Sequence, residues 1–350
     1  MSENKPLTKL STLGEFGLIR HLTQDIKLKN SSSVKGVGDD AAVLDYKDKK
    51  VLISTDMLIE GVHFDLAYAP LKHLGYKAVA TNVSDICAMN GTAKQITVSI
   101  AISNRFSLEA MEELYEGIYL ACEQYGVDLV GGDTTSSKTG MCISITVIGE
   151  ANEDEITYRN TAKENNLICV SGDLGAAYMG LQLLEREKVV FQENPNAQPD
   201  FAGYEYILER QLKPEARVDI VRLLKEKGIR PTAMMDVSDG LSSEVLHICH
   251  DSGLGCKIYE EKIPIDYQTY KMAEELNMNA TVCALSGGED YELLFTAPLE
   301  DFEKLSAMEG ISVIGHTCAQ SEGYNLITKD GNSFALKAQG WVNFNPDNQQ

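Results

Sequence analysis

The stretch Thr232-Ala233-Met234-Met235-Asp236-Val237-Ser238-Asp239-Gly240-Leu241-Ser242 decides the fold class. Its apolar run, Thr232–Val237, reads as a strand, which ends in two carboxylates flanking a hydroxyl before Gly240 turns the chain into a helix. Working outward, further apolar runs rich in β-branched residues read as strands at Val51–Ser54, Gln95–Ile102, Met141–Ile148, Leu167–Val170, Tyr291–Thr296 and Ile311–Ile314. Helical segments lie between them. The clearest starts after Ser107, where Leu108, Met111, Leu114, Tyr115, Ile118 and Cys122 recur on one helix face, with Ser107 as N-cap and Gly126 as the stop. Leu71–Met89 reads as a second helix, entered after Pro70. Strands interleaved with helices predict an α/β or α+β architecture in two halves, with Glu150–Glu155 as the boundary and Gln192–Asp200 as an exposed connection. Val-Ser-Asp occurs in both halves, at 83–85 and 237–239, but three residues do not decide between duplication and coincidence.

At 350 residues and 43% hydrophobic composition the chain is long enough for two cored domains. Its formal charge of −21 repels a bare polyanion, so nucleic acid is excluded as a partner. A triphosphate still binds such a surface when divalent cations stand between carboxylates and phosphate oxygens. None of the eight cysteines forms a C-x-x-C pair or has a His at zinc-finger spacing, which leaves reduced, mostly buried thiols. The N-terminus lacks a signal-peptide core and no apolar run spans a membrane, so the expected location is cytoplasmic.

Five clusters combine acid, glycine and hydroxyl. Gly36-Val37-Gly38-Asp39-Asp40 is followed by Ile53-Ser54-Thr55-Asp56, read as an apolar strand ending in oxygens. Ser84-Asp85 lies late in the helix that also carries Lys77 and Thr81. Val130-Gly131-Gly132-Asp133-Thr134-Thr135 reads as a short strand running into glycines, where backbone N–H groups can meet phosphate and a carboxylate can hold its metal. The opening stretch, with Asp236, Ser238 and Asp239, is the fourth; Ser286-Gly287-Gly288-Glu289-Asp290-Tyr291-Glu292 is the fifth. Each alone reads equally as a polar turn or a solvated helix face, whereas five together point to hard-cation and phosphate binding. Neither a P-loop nor a strand-linked G-x-G-x-x-G is present, and Ser171-Gly172-Asp173-Leu174-Gly175 reads as a structural strand-to-helix turn.

In this order, and with Gly61-Val62-His63-Phe64 added, the motifs resemble those of the thiamine-monophosphate kinase family, in the superfamily of aminoimidazole ribonucleotide synthetase. The resemblance runs from about Gly14 to Trp341. It implies a two-domain aminoimidazole ribonucleotide synthetase-like fold. Residues 1–150 would bind ATP and magnesium and pair with a twin to build a shared β-barrel, and residues 151–345 would form an α/β domain completing the active site. It therefore implies a homodimer. It also implies transfer of the γ-phosphoryl group of ATP to thiamine monophosphate. By motif, it assigns magnesium to Asp40, Ser54, Thr55, Asp56, Asp85, Asp133, Asp236 and Asp239, and ATP to Gly132, Asp133, Arg159, Ser238 and Tyr115. The thiamine substrate falls to His63, Glu289 and Trp341, the last being the single tryptophan.

The departure Ala88-Met89-Asn90-Gly91 touches only the turn after that helix, and the segment between Arg186 and Ile207 carries no motif. Two kinds of rival stand beside this reading. Another ATP-using member of the superfamily, a ring-closing synthetase or a dehydratase, would share the aspartates but differ in acceptor; the dehydratase expects a C-terminal cysteine, where this chain ends Asn348-Gln349-Gln350. A non-catalytic cation-binding protein would crowd its ligands into one loop, and no such loop occurs.

Overall fold

The computed structural model describes residues 14–35, 37, 42–196, 198, 199 and 201–338. Two compact units emerge, one of Met1–Ile86 with Gly91–Asp154 and one of Cys87–Asn90 with Glu155–Gln350.

The first unit runs α1 (Gly14–Thr23), β1 (Ser33–Lys35), β2 (Val43–Leu44), β3 (Lys50–Ile59), α2 (Leu71–Ala88), β4 (Thr92–Ile102), α3 (Leu108–Tyr125), β5 (Asp128–Ser136) and β6 (Cys142–Ala151). The last two residues of α2 are counted with the second unit. β1 and β2 form a small ladder of their own, and the remaining strands make a sheet in the order β3-β6-β4-β5. Only β4 and β5 are parallel, as strands joined by a crossover helix must be. α3 begins and ends as its sequence predicts: the Ser107 side chain accepts the Ala110 N–H, and Gly126 closes the helix in the left-handed conformation. Its buried face is Leu108, Met111, Leu114, Tyr115, Ile118, Ala121 and Cys122. α2 and α3 approach backbone to backbone, since a Cβ on Gly75 would meet the Leu114 carbonyl and one on Gly117 the Lys72 carbonyl. Ile96, Val98, Ile100, Ile143, Ile145 and Val147 supply the sheet's share of the core.

The second unit continues with β7 (Leu167–Ser171), α4 (Ala176–Glu193), α5 (Glu205–Leu212), α6 (Val218–Glu226), β8 (Ala233–Asp236), α7 (Leu241–Ser252), β9 (Leu254–Tyr259), α8 (Tyr267–Glu275), α9 (Ala280–Ser286), β10 (Leu293–Ala297), α10 (Phe302–Ser306), β11 (Ile311–Ala319), β12 (Tyr324–Ile327) and β13 (Ser333–Ala335). Among the described residues its seven strands are ordered β13-β12-β9-β11-β7-β10-β8, antiparallel except for β12 against β9. β7 and β10 are buried along their whole length, as continuous apolar strands at the centre of a sheet are. Val170, Leu174, Val237, Leu241, Val245, Leu285 and Leu294 form the heart of one core, and Met179, Leu183, Ile207 and Met272 that of another.

All eight cysteines are free, seven of them buried. Among the described residues, no helix is long and apolar enough to cross a membrane.

Candidate functional site

In the first unit the acids are set by β3 and α2. β3 does not stop at Ser54; it runs through Ser54, Thr55 and Asp56 to Ile59, held along its length by β6. The expected strand end is therefore a strand interior, because β6 offers ten successive pairing partners that outweigh the poor strand preference of Asp. Side chains alternate across a strand, so Ser54 and Asp56 face α2 while Thr55 turns to the other side. Ser54 Oγ–H donates to Asp85 Oδ2 at 2.5 Å, and the Asp56 N–H donates to Asn82 Oδ1 at 3.1 Å. Thr55 Oγ instead donates to the Ile145 carbonyl at 3.0 Å. Burial, and then the charge of Asp85, pushes Asp56 up to about 6. Ser84 beside it is fully buried, which removes the solvated-face reading of that motif.

The Gly131-Gly132-Asp133 segment corrects a second expectation. Instead of a turn, these residues lie inside β5, with Gly132 opposite Val98 and Asp133 opposite Ser99. A Cβ on Gly132 would stand 1.9 Å from the Val98 carbonyl oxygen, so the strands close only on glycine. Among the described residues β5 pairs with β4 alone and forms the sheet edge, where Gly132 and Asp133 are exposed. Its first residue, Asp128, anchors the chain leading toward Gly36: its carboxylate accepts the Lys29 N–H at 2.7 Å, the Asn30 N–H at 2.9 Å and Ser33 Oγ–H at 2.6 Å.

His63 sits in the turn after β3. Its Nδ1 accepts the Ile59 N–H at 3.1 Å, which makes Nε2 the protonated nitrogen of the neutral ring. Tyr115 lies in the buried face of α3, edge-on to Tyr119. Asp40 and Trp341 fall outside the described residues.

In the second unit, β8 delivers Asp236, and the chain turns through Ser238 and Asp239 into α7, as its sequence predicts. The fifth motif is stitched onto this turn through its backbone: the Glu289 N–H donates to the Ser238 carbonyl at 2.7 Å, the Tyr291 N–H to the Val237 carbonyl at 2.9 Å, and the Val237 N–H to the Glu292 carbonyl at 2.8 Å. Asp236, Ser238 and Glu289 are thus brought together. Glu289 and Tyr291 hold φ of 59° and 53°, a left-handed conformation that costs a non-glycine residue about 1 kcal/mol or more and persists only where surroundings impose it.

Those surroundings come from α5 and α6, where the sequence offered no motif. Arg210 donates to Glu292 Oε1 at 2.8 Å and to the carbonyls of Asp173 and Asp290 at 3.1 Å each, and Gln211 donates to Glu289 Oε2 at 2.9 Å. Arg217 and Ser171 hold the other Glu292 oxygen. Asp290 accepts the Gly175 N–H at 2.7 Å, yet burial outweighs this and the nearby Arg210, pushing it up to about 7. Only long-range pairing marks these residues, and a single sequence carries no signal for it.

Arg159 is exposed in the segment after β6, its carbonyl accepting Ser252 Oγ–H at 3.5 Å. Glu244, on α7, is the residue motif reading passed over beside the turn. It is 1% exposed, Oε1 accepts the Asp239 N–H at 2.9 Å, and burial pushes it up to about 8, with the charges of Asp239 and Asp236 adding to the rise.

Side chains of this kind fit magnesium. The donors are oxygens only, and the raised Asp56 and Glu244 mark places where negative charge is buried without enough positive charge to balance it. Among the described residues, no group of three or more His, Cys, Asp or Glu side chains gathers tightly enough to hold a metal ion. The magnesium chemistry known from phosphate-binding sites asks for only one or two carboxylates, the rest of the shell being phosphate oxygen and water.

Comparison with known proteins places this geometry in a family. Residues 38–151 match the model for the AIR synthase related protein N-terminal domain, and residues 163–324 that for its C-terminal domain. The chain is 34% identical to a thiamine-monophosphate kinase of Bacillus subtilis over 338 residues, covering 95% of this chain and all of that protein. It is also 34% identical to that of Aquifex aeolicus, covering 96% of this chain and all of the relative. A solved structure of AaThiL complexed with AMPPCP and TMP superimposes with a TM-score of 0.73 at 32% identity, over 97% of this chain and all of that one. With both domains matched and near-complete relatives above 30% identity, the chain belongs to the thiamine-monophosphate kinase family of AIR synthase related proteins.

Proposed function

We propose that the protein transfers the γ-phosphoryl group of ATP directly to the phosphate of thiamine monophosphate, forming thiamine diphosphate and ADP. The bond from the γ-phosphorus to the β,γ-bridging oxygen breaks, and a bond from an acceptor phosphate oxygen to the same phosphorus forms. One observation carries the reading. A chain of this family sets Ser54 and Asp56 of β3 against Asp85 and Asn82 of α2, and ties the backbone of the Asp236–Asp239 turn to that of the Glu289 loop, on strand and turn positions fixed by hydrogen bonds. A relative covered end to end has been solved with AMPPCP and TMP, in which AMPPCP stands in for the ATP such a transfer requires.

The acceptor phosphate is already ionised, so no strong general base is required, and positioning with charge neutralisation supplies the catalysis. When bound, magnesium ions neutralise the phosphate oxygens between donor and acceptor. Asp40, Ser54, Thr55, Asp56, Asp85, Asp133, Asp236 and Asp239 are the residues that would hold them. Gly132, with its open strand edge, Asp133, Arg159 and Ser238 orient ATP, and Tyr115 contributes from the packed face of α3. His63 supplies an Nε2–H donor for the thiamine substrate, Glu289 a carboxylate and Trp341 an aromatic face for the cationic ring.

A homodimer belongs to the same proposal. Val51, Ile53, Met57 and Ile59 stand outward along β3, with Ile53 68% exposed, and an apolar ladder of this kind on an edge strand asks for a partner. A second copy of the same strand is the occupant that closes a shared barrel. The setting proposed is the cytoplasm, where eight unpaired thiols stay reduced.

The test is a magnesium-dependent assay with ATP and thiamine monophosphate, following thiamine diphosphate. Wild type turns over, and Asp56→Asn and Asp236→Asn lose roughly 100-fold or more, the scale expected when a preorganised charge is removed. Consumption of ATP with some other acceptor, and none with thiamine monophosphate, would sink the assignment.

A further inference from the structure

The first turn of α7 holds a carboxylate that the roles above leave unused. Glu244 is 1% exposed. Its Oε1 accepts the Asp239 N–H at 2.9 Å, and among the described residues its buried Oε2 has no hydrogen-bond partner. The charges of Asp239 and Asp236 act on it, as does its own backbone N–H.

The Oε1 contact is a relative of the capping box, in which an acid early in a helix reaches back to a backbone N–H before it. That accounts for one oxygen. A glutamine would satisfy it equally well and would spare the molecule a buried carboxylate beside two others. The second oxygen is the anomaly, because a buried carboxyl oxygen left without a partner, whether or not it carries the proton, costs about 1–3 kcal/mol, and folded proteins pair nearly all such groups. A missing donor next to two proposed magnesium ligands has an obvious chemical form. Magnesium sheds its water reluctantly and keeps several molecules, whose hydrogens need acceptors in the surrounding protein.

We propose that Glu244 is a positioning residue of the magnesium-carrying turn: Oε1 fixes Asp239, and Oε2 is the acceptor for the hydration shell of the divalent cation that Asp236 and Asp239 hold. This rests on the function proposed above and adds a residue which that function did not assign.

The experiment is calorimetric titration of magnesium into the full-length protein with AMPPCP present, for wild type and Glu244→Gln, alongside thermal melts without magnesium. Gln keeps a carbonyl oxygen for the Asp239 N–H but turns the second position into a donor. The expected result is a melt no lower than that of wild type with magnesium affinity weakened about 10- to 100-fold, the range for loss of an outer-shell partner. Equal magnesium affinity in the two proteins overturns the proposal and leaves Glu244 as a helix cap. If Glu244→Gln does not fold, Glu244→Asp, which keeps the charge but withdraws both oxygens by one methylene, is expected to show the same loss, and wild-type affinity there overturns the proposal likewise. Absence of magnesium binding by wild type would instead remove the underlying function, and this inference with it.

Discussion

Gly132 shows what a single position contributes. The Val98 carbonyl oxygen lies 1.9 Å from where its Cβ would be, so any side chain forces β5 away from β4 just where Asp133 follows. Gly132→Ala is expected to cut kinase activity at least tenfold and to lower the melting temperature by several degrees, the cost of about 1–3 kcal/mol for overpacking. Wild-type activity with an unchanged melt would show that the strand can yield. At this scale the sequence was half legible. Glycines beside Asp read as a turn, because the local signal for a turn and for a close strand contact is the same residue. What separates the two is the carbonyl of Val98, and that partner is invisible from the segment itself. Ser54-Thr55-Asp56 was misread for the same reason, its strand being sustained by pairing with β6 rather than by its own preference.

Among the elements, the loop Gly287–Glu292 and the helix α5 form a matched pair. The loop holds Glu289 and Tyr291 in left-handed conformations, and Arg210 and Gln211 from α5 grip its acids and carbonyls. Arg210→Met would leave Glu292 with Arg217 as its one remaining guanidinium partner among the described residues and take the single guanidinium ion pair from Asp290. Urea unfolding is expected to show a loss of about 3 kcal/mol, the scale for breaking a buried ion pair, with Arg210→Lys recovering only part because lysine lacks the planar fork. No loss in Arg210→Met would mean that the backbone stitching to Val237 and Ser238 suffices. The β8-turn-α7 unit, the caps of α3 and the runs that became β4, β7, β10 and β11 were all legible, since each is written within a dozen residues. The α5 clamp was not. Arg210 and Glu292 are 82 positions apart, and a single arginine on a short helix looks like any surface cation.

For the whole molecule, the acidic charge and the outward apolar face of β3 point to two different partners. The charge of −21 suits the proposed binding of phosphate through cations, and the exposed ladder of Val51, Ile53, Met57 and Ile59 suits the proposed homodimer. Ile53→Glu places a carboxylate at the most exposed rung. Sedimentation is expected to find wild type as a dimer and this variant as a monomer; a variant that stays dimeric would move the interface elsewhere. The two-domain α/β class and the family followed from the order of motifs along the chain, which the domain matches at 38–151 and 163–324 bear out.

The central claim is direct transfer between two phosphates, and the fate of a labelled phosphoryl group tests it most closely. ATP radiolabelled at the γ-phosphate is incubated with thiamine monophosphate, magnesium and the wild-type protein. The expected result is label in the terminal phosphate of thiamine diphosphate, one ADP formed for each, and none left on the protein after denaturation. Label released as free phosphate, or carried by the protein chain, would contradict it.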